Sequence, residues 1–314
     1  HGLFVSYEAF VQIVASMADQ YAKFLKIARD VSWRGTVPSM NYILTSTGWR
    51  QEHNGFSHQN PGFIDGVLQR QGCFTNVYFP ADANTALHAF RRMLASTDAI
   101  NVMVCEKRPL PIWRTPGEAE RDVEEGLSIW EFASDSDPHV VFAAAGDYPT
   151  QEVLAAISLI RRDAPQIRLR FVNITSLSAL GMGATGCRVL RHDFADYFTE
   201  YSPIIINFHG YPQTMKQILF DYGCDSERVR IHGYEETGST TTPFDMMVRN
   251  RVDRFHLAME VFSIAAEQTL LTEEESHALI AQYQEALQAH RGYIMAHGDD
   301  PEEITNWTWQ LRSS

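Results

Sequence analysis

The sequence is poor in cysteine and contains no long hydrophobic run. Its four cysteines are scattered without a Cys-X-X-Cys pair, which argues against a disulfide framework and against a cysteine-based zinc site. No apolar stretch approaches the roughly 18 residues that a transmembrane helix requires, and no secretory signal is recognisable. We therefore expect a cytoplasmic protein that has no membrane partner.

Positive charge is also scarce. Lys and Arg total 26 against 39 Asp and Glu, which gives a formal net charge of −13 at pH 7. A nucleic-acid partner requires a basic face, so this balance argues against one. The length of 314 residues and the hydrophobic fraction of 45% suffice for two hydrophobic cores, and we expect two domains.

Short apolar runs alternate with helical patterns in the first part of the chain. Strands are predicted at residues 42–44, 77–79 and 100–105, with a helix at 85–94. Continuous apolar runs separated by helices are typical of a parallel sheet covered on both faces. Ahead of them, residues 7–30 carry apolar side chains at helical spacing, which predicts one long amphipathic helix with no strand before it. Because no methionine precedes His1, we expect a fragment or a cleaved chain.

The composition changes to Pro, Gly, Asp and Glu between residues 109 and 138. We place the domain boundary between residues 133 and 134 within this stretch. The α/β pattern then restarts, and a last helix begins with the capping box from Thr272 to Glu275. The predicted strands beyond the boundary lie at 140–145, 167–173, 203–208 and 229–232, and a helix lies at 150–162. The fold class is therefore α/β, with mainly parallel sheets covered by helices.

The densest cluster of reactive side chains follows the first predicted strand. Residues 49–62 read Trp-Arg-Gln-Glu-His-Asn-Gly-Phe-Ser-His-Gln-Asn-Pro-Gly and contain His53 and His58. Open α/β sheets bind ligands beyond the carboxyl ends of their strands, so this loop indicates a ligand site. The alternatives are a solvated surface pair, or a zinc site with Glu52, for which the His-Glu-X-X-His spacing is absent.

Three further segments carry candidate residues. Lys107 and Arg108 follow the predicted strand 100–105 at the same sheet edge, where they suit an anionic phosphate or are simply solvated cations. Asp82 is predicted to cap the helix that follows it. Residues 233–245 are rich in threonine, and we favour a capped connection over an anion site there.

Several long motifs, in this order along the chain, resemble the xylulose-5-phosphate/fructose-6-phosphate phosphoketolases. A more distant similarity is to transketolases, through the Pro-Ala-Asp-Ala-Asn pattern and the histidine loop. The motifs are residues 1–10 (His-Gly-Leu-Phe-Val-Ser-Tyr-Glu-Ala-Phe), 49–62, 82–84, 146–152 and 238–246. The resemblance implies two transketolase-like domains. Residues 1–133 would be a pyrimidine-binding (PYR) domain that lacks its amino-terminal portion, and residues 134–314 a transketolase-type carboxyl-terminal domain.

The resemblance also implies roles for individual residues. The implied catalytic residues are His53, Asn54 and His58. The implied substrate-binding residues are Tyr7, Gln51 and Lys107, and the implied cofactor-binding residues are Phe10 and Tyr7. Imidazole suits the proton transfers that sugar hydroxyls require near neutral pH. From its spacing alone, Phe10 would be interpreted as a core residue.

The implied reaction uses thiamine diphosphate and Mg²⁺ to cleave xylulose 5-phosphate, fructose 6-phosphate or both with inorganic phosphate, giving acetyl phosphate and an aldose phosphate. In the family, the activating glutamate and the metal and diphosphate ligands lie upstream of the segment that corresponds to His1. We therefore expect no metal ligand in this chain, a catalytically incomplete polypeptide, the amino-terminal half as a partner, and a homodimer. The open alternatives are a non-catalytic or regulatory relative and a transketolase-type two-carbon transferase.

Overall fold

Two β-sheets flanked by helices make up the part of the chain that the structure describes. This computed structural model describes residues 2–45, 47–50, 59–70, 74–181, 189, 193–224, 226–235 and 240–309. The strands are β1 (Gly2–Tyr7), β2 (Met40–Thr45), β3 (Thr75–Tyr78), β4 (Ile100–Val104), β5 (Leu127–Ile129), β6 (Val140–Ala145), β7 (Leu169–Ile174), β8 (Ile204–Phe208) and β9 (Val229–His232). The first sheet has the order β1-β2-β4-β3 and the second β5-β7-β6-β8-β9.

The helices vary in length from a single turn to a long terminal element. They are α1 (Ala15–Asp30), α2 (Gly62–Leu68), α3 (Ala83–Ala95), α4 (Pro116–Glu125), α5 (Asp147–Asp163), α6 (Phe194–Phe198), α7 (Pro212–Phe220), α8 (Pro243–Arg249), α9 (Arg254–Glu267), α10 (Glu273–His297) and α11 (Glu302–Thr305). The predicted capping box is present at the start of α10, where the Thr272 and Glu275 side chains each accept from the other's backbone N–H.

The first sheet is parallel throughout. Met40 of β2 lies opposite both Gly2 of β1 and Ile100 of β4, and Ile100 also pairs with Thr75 of β3. All five residues of β4 are buried, as the continuous apolar run predicts. The carboxyl ends of these strands therefore lie along one edge of the sheet.

The beginning of the chain differs from its prediction. β1 is followed by a 3-10 helix, Glu8–Val14, and then by α1, so the single helix over 7–30 and the absence of a preceding strand were both wrong. In β1, exposed and half-buried side chains alternate, which is the burial period of a strand at a sheet edge. Helical spacing located α1 but not its beginning, because pairing with β2 is a tertiary interaction that apolar periodicity does not reveal.

The second sheet is parallel except for one short strand. β6 pairs with β7 and β8, and β8 pairs with β9, all in parallel, whereas β5 runs antiparallel to β7. Alternate residues of β6 enter two different cores, Val141 and Ala143 in one, Phe142 and Ala144 in the other. Both faces are therefore covered, and the prediction of mainly parallel sheets covered by helices is confirmed.

Sheet membership changes before the predicted domain boundary. Leu127–Ile129, ahead of residue 134, pairs with β7 of the second sheet. The preceding helix α4 instead contributes Val123 to a cluster with Tyr78 and Met103 of the first sheet. A strand of three residues inside a polar stretch gives no apolar run to detect. The limits of 1–133 and 134–314 stay a prediction.

The two sheets meet through the ends of their strands. Phe79, just after β3, donates its N–H to the carbonyl oxygen of Thr175, just after β7, at 2.8 Å. The Phe79 ring lies edge-on to Phe208, the last residue of β8, with 5.5 Å between the ring centroids. One hydrophobic cluster includes side chains from both sheets. We call the first sheet with its helices the first unit, and the second sheet with its helices the second unit. The carboxyl ends of strands from both units therefore lie close together.

Two sequence predictions concern disulfide bonds and membrane-spanning helices. Cys105 and Cys224 are half-buried and are not in disulfide bonds, and Cys73 and Cys187 lie outside the described residues. In the described ranges, no helix is both long enough and apolar enough to cross a membrane.

Asp82 connects the start of α3 to the segment that leads to the second unit. As predicted it caps the helix, since its Oδ1 accepts from the backbone N–H and the hydroxyl of Thr85, each at 2.8 Å. Its Oδ2 accepts from the N–H groups of Trp113 at 2.8 Å and Arg114 at 2.9 Å. The side chain is buried, so four donors depend on one carboxylate.

We expect Asp82→Ala to lower the free energy of unfolding by about 2–4 kcal/mol, because it leaves buried N–H groups without an acceptor. Asp82→Asn retains one of the two acceptor oxygens and should therefore lower the free energy of unfolding by a smaller amount. Urea unfolding followed by circular dichroism measures both. Asp30→Ala, at the exposed end of α1, is the control and should stay within about 0.5 kcal/mol of the wild type. An Asp82→Ala protein as stable as this control would contradict the assignment.

Candidate active site

Three predicted site residues come together at the carboxyl edge of the first sheet. Tyr7 is the last residue of β1, Phe10 lies in the 3-10 helix after it, and Lys107 follows β4. The Tyr7 and Phe10 rings stack with centroids 5.9 Å apart and 16° between their planes. Lys107 Nζ donates to the Tyr7 hydroxyl at 3.2 Å and lies 4.4 Å from the centroid of that ring.

This group is open to solvent. Tyr7 is 37% exposed and Phe10 46% exposed, and the Lys107 side chain is exposed as well. Aromatic faces stack on other planar rings, and a lysine ammonium attracts anions. The arrangement can therefore receive a ligand that has an aromatic ring, an anionic group or both.

The predicted residues Gln51, His53, Asn54 and His58 lie outside the described residues, and their roles stay predictions. The segment just before them is described. Trp49 belongs to the short 3-10 helix Gly48–Arg50 and is buried, with its ring 5.7 Å from the Tyr234 ring and 6.5 Å from the His209 ring. Trp49, two residues before Gln51, is thus packed against residues of the second unit.

Glu8 and His209 form a buried pair across the two units. Glu8 follows Tyr7, and His209 follows β8 of the second sheet. His209 Nε2 lies 2.7 Å from Glu8 Oε1, and Glu8 Oε2 accepts from the backbone N–H of Gly48 at 2.9 Å. Burial by itself lowers the pKa of His209, but the charge and hydrogen bond of Glu8, together with the charge of Asp147, raise it overall.

Asp147 is a second buried carboxylate at this edge. Its Oδ1 accepts from the N–H of Tyr148 and its Oδ2 from the N–H of Glu106, both at 2.8 Å. Burial raises the pKa of Asp147 to about 6, although the positive charge of His209 and the two hydrogen bonds oppose this rise. Glu106 is in turn the residue before Lys107, and its Oε1 accepts from the Lys107 N–H at 2.7 Å.

Sequence reasoning did not select Glu8, Asp147 or His209 as site residues. A signal was available for two of them, since Asp147 and His209 directly follow buried strands, as the selected Lys107 follows β4. Glu8 had no such signal, because β1 was interpreted as the start of a helix.

A cleft of about 790 Å³ lies beside these strand ends and is rich in arginine. Its lining includes Arg50, Arg108, Arg249 and Arg291, together with residues 240–242, which are all threonine. Thr242 caps α8 by accepting from the N–H of Asp245 at 3.3 Å, so the capped connection that we favoured is present there. The lining also includes Asp245 and Asp299, and Asp245 Oδ2 pairs with Arg249 Nε at 2.7 Å, so four arginines stand against two carboxylates. In a chain of net charge −13, the cleft still has a local excess of positive charge.

No group of three or more His, Cys, Asp or Glu side chains is placed to hold a metal ion within the ranges that the structure describes. The location of magnesium and diphosphate ligands outside this chain therefore stays a prediction.

Two family models match the chain in succession. The model described as D-xylulose 5-phosphate/D-fructose 6-phosphate phosphoketolase matches residues 1–96, and the XFP C-terminal domain matches residues 107–309. A Brucella abortus protein named "Probable phosphoketolase" is 44% identical over 313 residues, covering 98% of this chain and 39% of that protein. The Rhizobium meliloti "Probable phosphoketolase 2" is 43% identical over 312 residues, with the same coverage. The chain thus spans about 39% of the length of these curated relatives.

Solved transketolases share the fold. Pichia stipitis transketolase in complex with sedoheptulose 7-phosphate matches with a TM-score of 0.64 and 13% identity, covering 85% of this chain and 34% of that one. Leishmania mexicana transketolase matches with a TM-score of 0.60 and 12% identity, covering 84% and 34%. A split-gene transketolase described as an inactive β4 tetramer gives 0.56 and 14%, covering 83% and 75%. The prediction of a transketolase-like α/β fold is confirmed.

We expect Asp147→Asn to flatten the pH dependence of stability. A folded-state pKa of about 6, above the ordinary 3.8, means that the folded chain binds this proton more tightly than the unfolded chain. The stabilisation is present below about pH 4 and is lost as the pH rises through about 6, a change of roughly 3 kcal/mol. Urea unfolding of both proteins from pH 4 to 7 measures the difference. Asp30→Asn should keep the wild-type slope, and an Asp147→Asn slope equal to it would refute the perturbed pKa.

Proposed function

Because the chain belongs to the D-xylulose 5-phosphate/D-fructose 6-phosphate phosphoketolase family, we propose that it is the carboxyl-terminal part of a thiamine-diphosphate-dependent aldehyde-lyase. The enzyme cleaves xylulose 5-phosphate, fructose 6-phosphate or both with inorganic phosphate, and forms acetyl phosphate and an aldose phosphate. The observation that carries the proposal is the contact of Lys107 with the stacked, exposed pair Tyr7 and Phe10 at the edge where strand ends from both units meet.

The described residues fit one end of the cofactor. The exposed faces of Tyr7 and Phe10 suit an aromatic ring such as the aminopyrimidine, and we assign the magnesium and diphosphate ligands to the amino-terminal half. When bound, thiamine diphosphate supplies the carbanion chemistry that breaks the carbon–carbon bond. The chain's own residues orient the sugar and move protons.

Lys107 and the arginine cleft suit phosphate groups. The hydrogen bond to Tyr7 uses one of the three N–H groups of Lys107, which leaves two for phosphate oxygens. Arg50 and Arg108 line the cleft beside the segments that carry Gln51 and Lys107, and arginine binds phosphate in a bidentate manner. We assign Gln51 to substrate binding and a catalytic role to His53, Asn54 and His58. Of these three, the two imidazoles move protons to and from the sugar hydroxyls.

An apolar ridge on the first unit supports the amino-terminal half as a partner. β1 is the edge strand of its sheet, and the outward side chains of β1 and of the following helices are large and exposed. The ridge consists of Leu3, Val5, Tyr7, Phe10, Ile13 and Met17. The curated relatives are more than twice as long as this chain, so they contain further sequence that can cover such a surface.

We further propose a cytoplasmic homodimer, in which the amino-terminal half completes each site. A split-gene transketolase that shares the fold of this chain is described as an inactive β4 tetramer. The fold neighbours favour one alternative, transfer of the two-carbon unit to an aldose phosphate as in transketolases.

We expect the chain, combined with the amino-terminal half, thiamine diphosphate and Mg²⁺, to release acetyl phosphate from xylulose 5-phosphate and inorganic phosphate. Lys107→Met should raise the KM for the sugar about tenfold to hundredfold, because a charge-assisted hydrogen bond is lost. Lys107→Arg should be affected less, and Lys216→Met, an exposed lysine on α7, is the control. Two-carbon transfer to ribose 5-phosphate without acetyl phosphate would favour the transketolase alternative. The absence of both reactions would favour a non-catalytic relative.

A charge on the apolar ridge is expected to prevent assembly with the amino-terminal half. Ile13 is 82% exposed, so Ile13→Asp should leave this chain folded while weakening the association at least about tenfold, the cost of burying an unpaired carboxylate. Analytical ultracentrifugation measures the association. Phe220→Asp alters an equally exposed side chain, 81% exposed, on α7 of the second unit and serves as control. Equal association of both variants would place the interface elsewhere.

A further inference from the structure

One hydrogen-bonded link joins the second unit to the segment that begins at Gly48. The Glu8 carboxylate lies between His209 Nε2 at 2.7 Å and the Gly48 N–H at 2.9 Å. Glu8 is 1% exposed and His209 is 2% exposed, so water does not replace either bond. The His209 ring also lies against Trp49 and Phe79, at 6.5 and 5.7 Å between centroids. The imidazole is therefore fixed on several sides.

A second link joins the second unit to the segment of Lys107. Asp147, at the start of α5, accepts from the Glu106 N–H at 2.8 Å. Glu106 then accepts from the N–H groups of Lys107 and Arg108, at 2.7 and 3.1 Å. The backbone that carries Lys107 is thus attached to a buried side chain of the other unit.

Both links end next to residues of the proposed site. Gly48 lies three residues before Gln51, and Glu106 is adjacent to Lys107. Buried polar pairs are weak contributors to net stability, because desolvation offsets most of their attraction, but they hold backbone groups in one arrangement.

We propose that His209 and Asp147 are positioning residues, through which the carboxyl-terminal unit fixes the backbone at Gly48 and at Glu106, from which the chain continues to the proposed substrate-binding residues Gln51 and Lys107. This inference rests on the proposed function for the identity of the substrate. The links themselves do not depend on it. The role assigned to the second unit is geometric, since neither side chain is required to touch the sugar.

Amide hydrogen exchange of the 314-residue chain tests the two links and does not depend on catalytic activity. His209→Asn is expected to accelerate exchange at Gly48 about tenfold or more and to leave Glu106 unchanged, because the amide of Asn is too short to reach Glu8. His209→Gln places a donor near the position of Nε2 and should restore slow exchange. Asp147→Ala should accelerate exchange at Glu106 and leave Gly48 unchanged. Equal exchange at Gly48 in the His209→Asn and wild-type chains would overturn the first link.

Steady-state kinetics of the chain combined with the amino-terminal half tests the positioning role. We expect His209→Asn to raise the KM for xylulose 5-phosphate about tenfold to hundredfold, since small displacements of binding groups cost this much, and His209→Gln to stay near the wild type. Partial unfolding alone would lower kcat and leave KM unchanged. The control is His290→Asn, which breaks the buried pair of His290 and Asp300, 2.9 Å apart and wholly within the second unit.

Three results decide between the interpretations. A KM raised in His209→Asn and unchanged in His290→Asn supports the proposal. Faster exchange at Gly48 with an unchanged KM overturns the positioning role. An absence of acetyl phosphate from the wild-type assembly overturns the proposed function instead, and exchange at Gly48 and Glu106 then still decides whether the links exist.

Discussion

Burial of the Glu8 carboxylate is the constraint on which the arrangement of this molecule depends. A carboxylate removed from water loses several kcal/mol of solvation unless donors replace the water. Here the donors are His209 from the second unit and the Gly48 N–H from the loop after β2. The ends of β1, β2 and β8 must therefore be in place together, because any one of them absent leaves a buried charge short of a partner.

The exposed site residues lie next to residues that are held by buried side chains. Tyr7 is exposed next to buried Glu8, and Lys107 is exposed next to Glu106, whose backbone is hydrogen-bonded to Asp147. Tyr7 has extended backbone, in which successive side chains point to opposite sides, so anchoring Glu8 presents Tyr7 to solvent. The stacked ring of Phe10 and the ammonium of Lys107 both contact the Tyr7 side chain and restrict it further.

Local sequence patterns were sufficient for the parts of the fold that have local causes. Runs such as that of β6 are apolar because helices cover both faces of the sheet, and the capping box at Thr272 and the Asp82 cap are short-range hydrogen bonds. β1 was missed because its strand character comes from pairing with β2, 38 residues further along. The strand pattern did not predict that Tyr7 meets Lys107, because Tyr7 ends the missed strand β1, and both residues were selected only through the resemblance to the phosphoketolases. The Glu8–His209 pair joins residues 201 positions apart and requires the packing of two sheets, which no local pattern encodes.

The two links between the units differ in which unit provides the hydrogen-bond donor, and this fixes how the two units pair at this edge. The second unit acts as the donor side toward Glu8 through His209, and as the acceptor toward the Glu106 N–H through Asp147. Glu8, His209 and Asp147 are buried, so the loss of a partner leaves a carboxylate or an imidazole with little access to water. At this edge the second unit therefore holds the first unit at two separate points. A site that places a sugar phosphate against a cofactor needs positional tolerances of well under roughly 1 Å, and loops held only by their own strands do not reach that precision.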